Sequence, residues 1–176
     1  MSTNQKGAIA EAAIELAAVR LEIPVLHPRQ EGLRYDLALE LGHRLLRVQC
    51  KWATRIGDVV RVNTRTSRLT NAGHVRTTYT RAEIDAVAAY CADLDECYLL
   101  PILDIEGQSM VHLRLHPARN NQTAGVKMAE QYRFGAIAQL GERVAGSDEV
   151  VGSSPTSSTT EQAVHQGGLF SFRDSA

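Results

Sequence analysis

Two alternating runs joined by a Gly-His pair constrain this chain more than any other feature. Leu33–Leu41 and Arg44–Lys51 each read as a strand. Gly42-His43 between them is a two-residue link of the kind that closes a hairpin. A closed hairpin has a register. Counting back from the turn sets Asp36 opposite Gln49, and the two-residue period of a strand puts Gln49 and Lys51 on one face. A carboxylate, an amide and an ammonium therefore converge at one end of a hairpin.

Before the hairpin, residues 3–21 have a helical period. Ala8, Ile9, Ala12, Ala13, Leu16, Ala17 and Val19 form its apolar face, with Ser2 or Thr3 as cap. Ile23-Pro24 ends it, and Val25-Leu26 is a short strand. After the hairpin, Asp58–Thr64 and His74–Thr78 are expected to pair, joined by the polar link SRLTNAG, which carries Arg68. Thr80–Asp93 is expected to be a helix. Thr80 and Glu83 make its capping box, and Ile84, Val87, Ala88 and Cys91 its inner stripe. Cys97–Leu103 is a continuous apolar strand, expected at the buried centre of the sheet. Met110–Leu115 is another strand, and Thr123–Tyr132 at most a short helix. This order predicts an α/β sandwich: a mixed sheet flanked by two main helices.

A length of 176 residues suits one domain. No apolar run approaches the roughly 18 residues of a membrane span. The opening MSTNQKGAIAE has an acid in its apolar stretch and does not read as a secretory signal. Cys50, Cys91 and Cys97 are odd in number and lack CxxC spacing, which suits reduced thiols in the cytoplasm. The net charge of -1 hides an asymmetry. Residues 44–81 hold nine Lys or Arg against one acid, Asp58, for a net +8.

The converging set suits phosphodiester hydrolysis. Carboxylate and amide oxygens are hard donors of the kind Mg²⁺ prefers, with Mn²⁺ as a substitute. Lys51 would then position the attacking water and offset charge on the phosphate. Glu11, a lone acid among Ala and Ile on the first helix, is a further candidate ligand. The rival reading is a surface hairpin whose Asp and Lys form a weak salt bridge. Arg61, Asn63, Arg65, Arg68 and Arg76 are candidate readers of double-stranded DNA, since Arg and Asn recognise guanine and adenine in the major groove. Contact with phosphates alone is the alternative. The six His lack HxH or HExxH spacing and suggest no zinc site. Trp52 turns away from the Lys51 face by alternation.

KGAIAE, RYDLAL and RVQCKWA resemble the PD-(D/E)XK nucleases, and in particular a small bacterial branch that includes homing endonucleases of group I introns in tRNA genes. YTRAEIDAVAAYCADLDECYLLP, LRLHPARNNQ and GVKMAEQYRF continue that resemblance in order over about residues 5–134. It implies a restriction-endonuclease-like core, a divalent metal, and a homo-oligomer, a tetramer on the branch's pattern or otherwise a dimer. Glu11 matches the family's first-helix acid, Asp36 its metal-binding Asp and Lys51 its catalytic Lys. Tyr35 stands where the motif has Pro, and Gln49 where it usually has Asp or Glu. Gln at that position is a feature of the tRNA-intron branch. The resemblance also makes Gln122 a possible site or DNA contact, whereas by composition it belongs with Asn120 and Asn121 in a loop.

From Gly135 the pattern changes. Residues 135–176 are expected to be a disordered tail, with VGSSPTSSTTEQ its most polar part. AIAQLGER and EVVGSSP resemble peptides translated from the D-arm and T-arm of a tRNA gene. They lie fourteen codons apart, counted from Ala138 to Gly152. The nuclease domain is thus expected over residues 1–134. Two other functions fit the same residues: a junction resolvase-like nuclease, and a DNA-binding protein whose nuclease site has decayed.

Overall fold

The computed structural model describes residues 1–70, 73–117 and 125–136, without the side chains of residues 67–70 and 74–76. Thr3–Arg20 forms helix α1, capped by the Ser2 side chain, which accepts a hydrogen bond from Gln5 N at 3.2 Å. Its buried stripe is Ala10, Ile14 and Ala18, one residue every four. That is narrower than the expected face: Ala8, Ala12, Leu16 and Val19 are exposed, the last two by 49% and 57%. Small residues on both sides explain this. Ala86 and Ala88 of the sheet lie in the same core cluster as Ile14 and Ala18, so helix and sheet approach closely along a thin seam.

The strands are β1 (Val25–Leu26), β2 (Leu37–Leu41), β3 (Arg44–Ile56), β4 (Val59–Asn63), β5 (Arg65–Thr70) and β6 (Gly73–Thr78). After them come β7 (Ala86–Cys91), β8 (Glu96–Pro101), β9 (Met110–Arg114) and β10 (Lys127–Met128). A four-residue helix, α2 (Ile102–Ile105), follows β8, and two short 3₁₀ turns end the described chain. One mixed sheet holds β1-β2-β3-β4-β9-β10, with β7 pairing β3 and β8 beyond β7; β5 and β6 form a separate ribbon. The α/β class and the mixed sheet are as expected. Among the described residues, no helix is long and apolar enough to cross a membrane. The three cysteines are free and buried.

The hairpin closes as the Gly-His pair predicts, with Leu41 opposite Arg44. Gly42 has φ +61, as the first central position of a type II′ turn requires. Strand β3 does not stop at Lys51, however. It runs to Ile56 and turns again at Gly57-Asp58, where Gly57 has φ +57, and β4 returns along it. Strand β4 therefore pairs β3 and β9, and does not pair His74–Thr78. The expected link SRLTNAG is instead part of the ribbon: residues 65–70 pair with residues 73–78.

The largest correction falls on Thr80–Asp93. Only its first turn is helical in character: Ile84 N donates to Thr80 O at 3.1 Å, and Glu83 Oε2 accepts from Thr80 N at 3.0 Å. The rest is strand β7, parallel to β3 from Val48↔Ala86 to Ala53↔Cys91. AVAAYC is buried on both faces except at Tyr90, which is half-buried. A run apolar in every position suits an interior parallel strand as well as a helix, and periodicity alone does not separate them. Among the described residues there is thus one main helix, not two. Strand β8 is buried as expected but, among the described residues, pairs with β7 alone and so lies at the end of the sheet. A bridge from Tyr98 to Arg133 covers part of its free edge. The expected helix at Thr123–Tyr132 is, in its described part, β10 and a 3₁₀ turn over Ala129–Tyr132.

Arg47 locks the Thr80 turn against β3. Its Nε donates to Asp85 Oδ2 and its Nη2 to Asp85 Oδ1, both at 3.0 Å, and Nη1 donates to Ala82 O at 2.7 Å. Asp85 Oδ2 also accepts from Arg47 N at 2.8 Å. One cation of the basic segment is thus structural. Asp85→Ala is expected to cost about 2 kcal/mol of stability, because it orphans a backbone N–H and a forked guanidinium together. Urea unfolding measures this, with a shifted midpoint at constant slope as the expected result.

Candidate active site

The site arises where β3 lacks a partner. Strand β7 runs along one edge of β3 over residues 48–53. Val48 also pairs Leu37 and Ala53 also pairs Val62, so β2 and β4 share the opposite edge. Between those pairs, no strand among the described residues lies on that edge of residues 49–52. Asp36 stands at the mouth of this gap. Its N donates to Val48 O at 2.9 Å, and its carboxylate Oδ2 accepts from Cys50 N at 2.7 Å, taking the place of a missing ladder partner. The Gln49 amide Nε2 also donates to Asp36 Oδ2.

Lys51 lies one alternation beyond Gln49 on the same face. Its Nζ sits over the Tyr79 ring, 5.2 Å from the centroid. Burial is the main cause of a raised Asp36 pKa, and the Cys50 N–H and the nearby Lys51 charge oppose it. Glu11 is exposed as a residue, yet partial burial of its carboxyl raises its pKa, Asp36 adds to the rise and His27 opposes it. Burial pushes the Cys50 thiol up, and the Asp36 and Glu11 charges push it further, so Cys50 is a packed thiol and no nucleophile. Glu11, Asp36, Gln49 and Lys51 are thus brought together, as the hairpin register and the first-helix acid anticipate.

The donor chemistry suits a divalent cation. Two carboxylates whose ionisation burial opposes, with an amide oxygen on Gln49, form an oxygen-only set. Among the described residues no group of three or more His, Cys, Asp or Glu is placed to hold a metal ion, so a cation here would also draw on the Gln49 amide oxygen.

Of the expected DNA readers, the side chains of Arg61, Asn63 and Arg65 are described, and those of Arg68 and Arg76 lie outside the described residues. Register places Arg61 opposite Thr54 and Val62 opposite Ala53. Val60 and Val62 pack into the cluster with Ala53 and Tyr79, so Arg61 and Asn63 lie on the sheet face away from Lys51. There Arg61 lines a groove of about 420 Å³ with His112, Arg114 and Lys127. The Asn63 side chain accepts from Arg65 N at 2.9 Å, and Arg65 Nη2 donates to Ser109 Oγ at 3.1 Å. In the ribbon, Ser67↔Arg76 and Arg68↔Val75 are register pairs. Gln122, with Asn120 and Asn121, lies outside the described residues. Trp52 turns away from Lys51, as alternation requires. It packs edge-on to Tyr90 at 5.8 Å, with Lys6 Nζ 5.7 Å from its ring centroid.

Two neighbours of the site escaped sequence reasoning. Tyr79 opens the stretch YTRAEIDAVAAYCADLDECYLLP, but nothing in that stretch gives it a role. Arg34, whose guanidinium carbon is 5.0 Å from the Tyr79 centroid, opens RYDLAL two residues before Asp36, and that place was its signal.

A helix laid on a mixed sheet, with a carboxylate, an amide and a lysine at a fork in its longest strand, defines a nuclease of the restriction-endonuclease kind. The sequence profile described as PD-(D/E)XK endonuclease matches residues 1–135, and the chain belongs to that family of DNA endonucleases. Among solved structures, the bacterial homing endonuclease I-Ssp6803I superposes with a TM-score of 0.66 at 27% sequence identity. The match covers 85% of this chain and 100% of that one. No curated protein sequence matches the chain.

Proposed function

We propose that this endonuclease is Mg²⁺-dependent and sequence-specific, a homing endonuclease whose target is a tRNA gene. The observation that carries the catalytic reading is the gap on β3, which gathers Asp36, Gln49 and Lys51 with the first-helix Glu11 nearby. Glu11, Asp36 and Gln49 would hold the ion, which when bound supplies a polarised phosphoryl oxygen and an acidified water. Lys51 keeps its charge for the phosphate: among the described residues no carboxylate ion-pairs with it. The peptides AIAQLGER and EVVGSSP support the tRNA-gene target, and the likeness to I-Ssp6803I supports homing. Arg61, Asn63, Arg65, Arg68 and Arg76 serve as DNA contacts in this reading, and Gln122 as a further site contact. Cutting both strands needs two sites, so the active form is a homo-oligomer, a tetramer on the branch's pattern.

Incubation with supercoiled plasmid carrying an uninterrupted tRNA gene tests this. Discrete linear product that is lost in EDTA is expected. A second reading, a DNA-binding protein with a decayed site, is favoured by the hydrogen bond from Gln49 to Asp36. It would give a salt-sensitive gel shift without cutting. Cutting of a four-way junction regardless of sequence would mark a resolvase.

Metal binding has a readout apart from cleavage. A carboxyl whose folded-state pKa lies above its unfolded value destabilises the fold when ionised. That penalty is present above the folded pKa and disappears as pH falls below the unfolded one. A bound cation relieves the same penalty. Mg²⁺ is therefore expected to raise the Tm at pH 8, and the rise should shrink as pH falls toward the ordinary carboxylate range near ~4. A rise that ignores pH and survives Asp36→Asn would place the ion elsewhere.

A further inference from the structure

We infer that Tyr79 is a positioning residue for Lys51, and that Arg34 ties this ring to the root of the β5–β6 ribbon. The inference rests on the reading of Lys51 as the cation that meets the scissile phosphate. A lysine on its four-carbon stem has many rotamers, and an unheld ammonium would spend little time in one place. A carboxylate could hold it, but would also neutralise it. An aromatic face attracts the ammonium while leaving its charge and N–H donors for a phosphate. Tyr79 is suited to this: it is 4% exposed, packed in the core cluster with Ala53, Val60 and Ile84, and its ring is therefore fixed. The Lys51 Nζ distance of 5.2 Å is within the range of such contacts.

Arg34 meets the same ring at 5.0 Å. Its Nε donates to Glu83 Oε1 at 2.9 Å, and its Nη1 to Thr66 Oγ1 at 3.2 Å. Glu83 in turn accepts from Thr80 N and Thr80 Oγ1. Thr66 belongs to β5, and Tyr79 is the residue directly after β6. Both roots of the ribbon thus end at the ring that holds Lys51. The entry root is itself anchored: Thr64, 2% exposed, donates its Oγ1 to Gln108 O at 2.5 Å. A ribbon seated on DNA would in this way set the position of the catalytic ammonium.

The test compares the full chain with Tyr79→Phe, Tyr79→Leu and Lys51→Ala. Cleavage is measured at saturating DNA, beside DNA affinity and thermal melting. Tyr79→Leu is expected to lower kcat about 10- to 30-fold at unchanged KM, and Tyr79→Phe to recover it within about 3-fold, since Phe keeps the ring face. A second readout needs no activity. The chain has three lysines, Lys6, Lys51 and Lys127, so lysine-selective ¹³C labelling gives few signals. The ε-methylene signal that Lys51→Ala removes is expected upfield in the wild type, by ring current, and unshifted in Tyr79→Leu. The Lys6 signal, over Trp52, should stay in place in both. If Tyr79→Leu fails to fold, the wild-type and Tyr79→Phe spectra decide the matter. An unshifted Lys51 signal, or a folded Tyr79→Leu with full kcat, overturns the positioning role while an inactive Lys51→Ala upholds the site. A fully active Lys51→Ala overturns the reading of the site itself.

Discussion

Lys51→Ala is expected to remove cleavage and leave DNA binding intact. The expected fall in kcat is about 10³-fold, the scale of losing a preorganised charge at a developing oxyanion. The fold has no substitute to offer. Arg34 is near, but its guanidinium is committed to Glu83 and Thr66, and Arg47 is forked onto Asp85. Stability should change by less than about 0.5 kcal/mol, because the Lys51 ammonium satisfies no buried polar group. Parallel measurements of plasmid cleavage, gel shift and melting separate these effects. Lost binding together with lost cleavage would mean that Lys51 is a backbone phosphate contact and not part of the chemistry.

Asp36 accepts from Cys50 N and is the proposed metal ligand, and two substitutions divide these roles. Asp36→Asn keeps an oxygen for the Cys50 N–H but removes the charge. It is expected to lower cleavage by at least about 10³-fold with little change in urea stability. Asp36→Ala loses the acceptor as well. It leaves the Cys50 N–H without its acceptor at a half-buried position and the Gln49 amide with its long bond to Cys50 O at 3.5 Å, and should cost a further 1–3 kcal/mol or so in stability. Equal stability of the two variants would show that water replaces the carboxylate in the β3 gap. Equal activity of Asp36→Asn and the wild type would exclude Asp36 as a ligand.

Much of this site was legible because it is built on short-range rules. A two-residue turn at Gly42-His43 determines the register, and register sets Asp36 against Gln49. Alternation then puts Lys51 beside them. None of these steps needs knowledge of any residue far away in the chain. The family was legible for a related reason, since its motifs lie on the same hairpin and on the first helix. The same rules gave α1, with its cap at Ser2, and the strands β1, β2, β4 and β9 to within a few residues.

The errors share a cause. Thr80–Asp93 carries a good helix start and an Ala-rich apolar run, both local features. Its true state depends on having β3 on one edge and β8 on the other, which no local pattern records. SRLTNAG is polar, has a turn-like Asn and Gly, and reads as a loop, yet its Ser67–Thr70 part belongs to strand β5 because residues 73–78 lie opposite. The exposed half of the predicted α1 face failed in the same way. How wide a stripe is buried depends on how closely the sheet beneath allows the helix to approach.

The sequence by itself determined the class of fold, the hairpin, its register and three polar residues at one end of it, because hairpin and register follow from turn geometry and strand period. Only the tertiary structure decided that β2 and β4 share one edge of β3 and leave residues 49–52 bare. It alone put Arg61 on the opposite face from Lys51 and brought Tyr79 and Arg34 beneath the ammonium. These are contacts between segments distant in the chain. They depend on which strand lies next to which, a choice made by burial of the whole sheet rather than by any residue's neighbours in sequence.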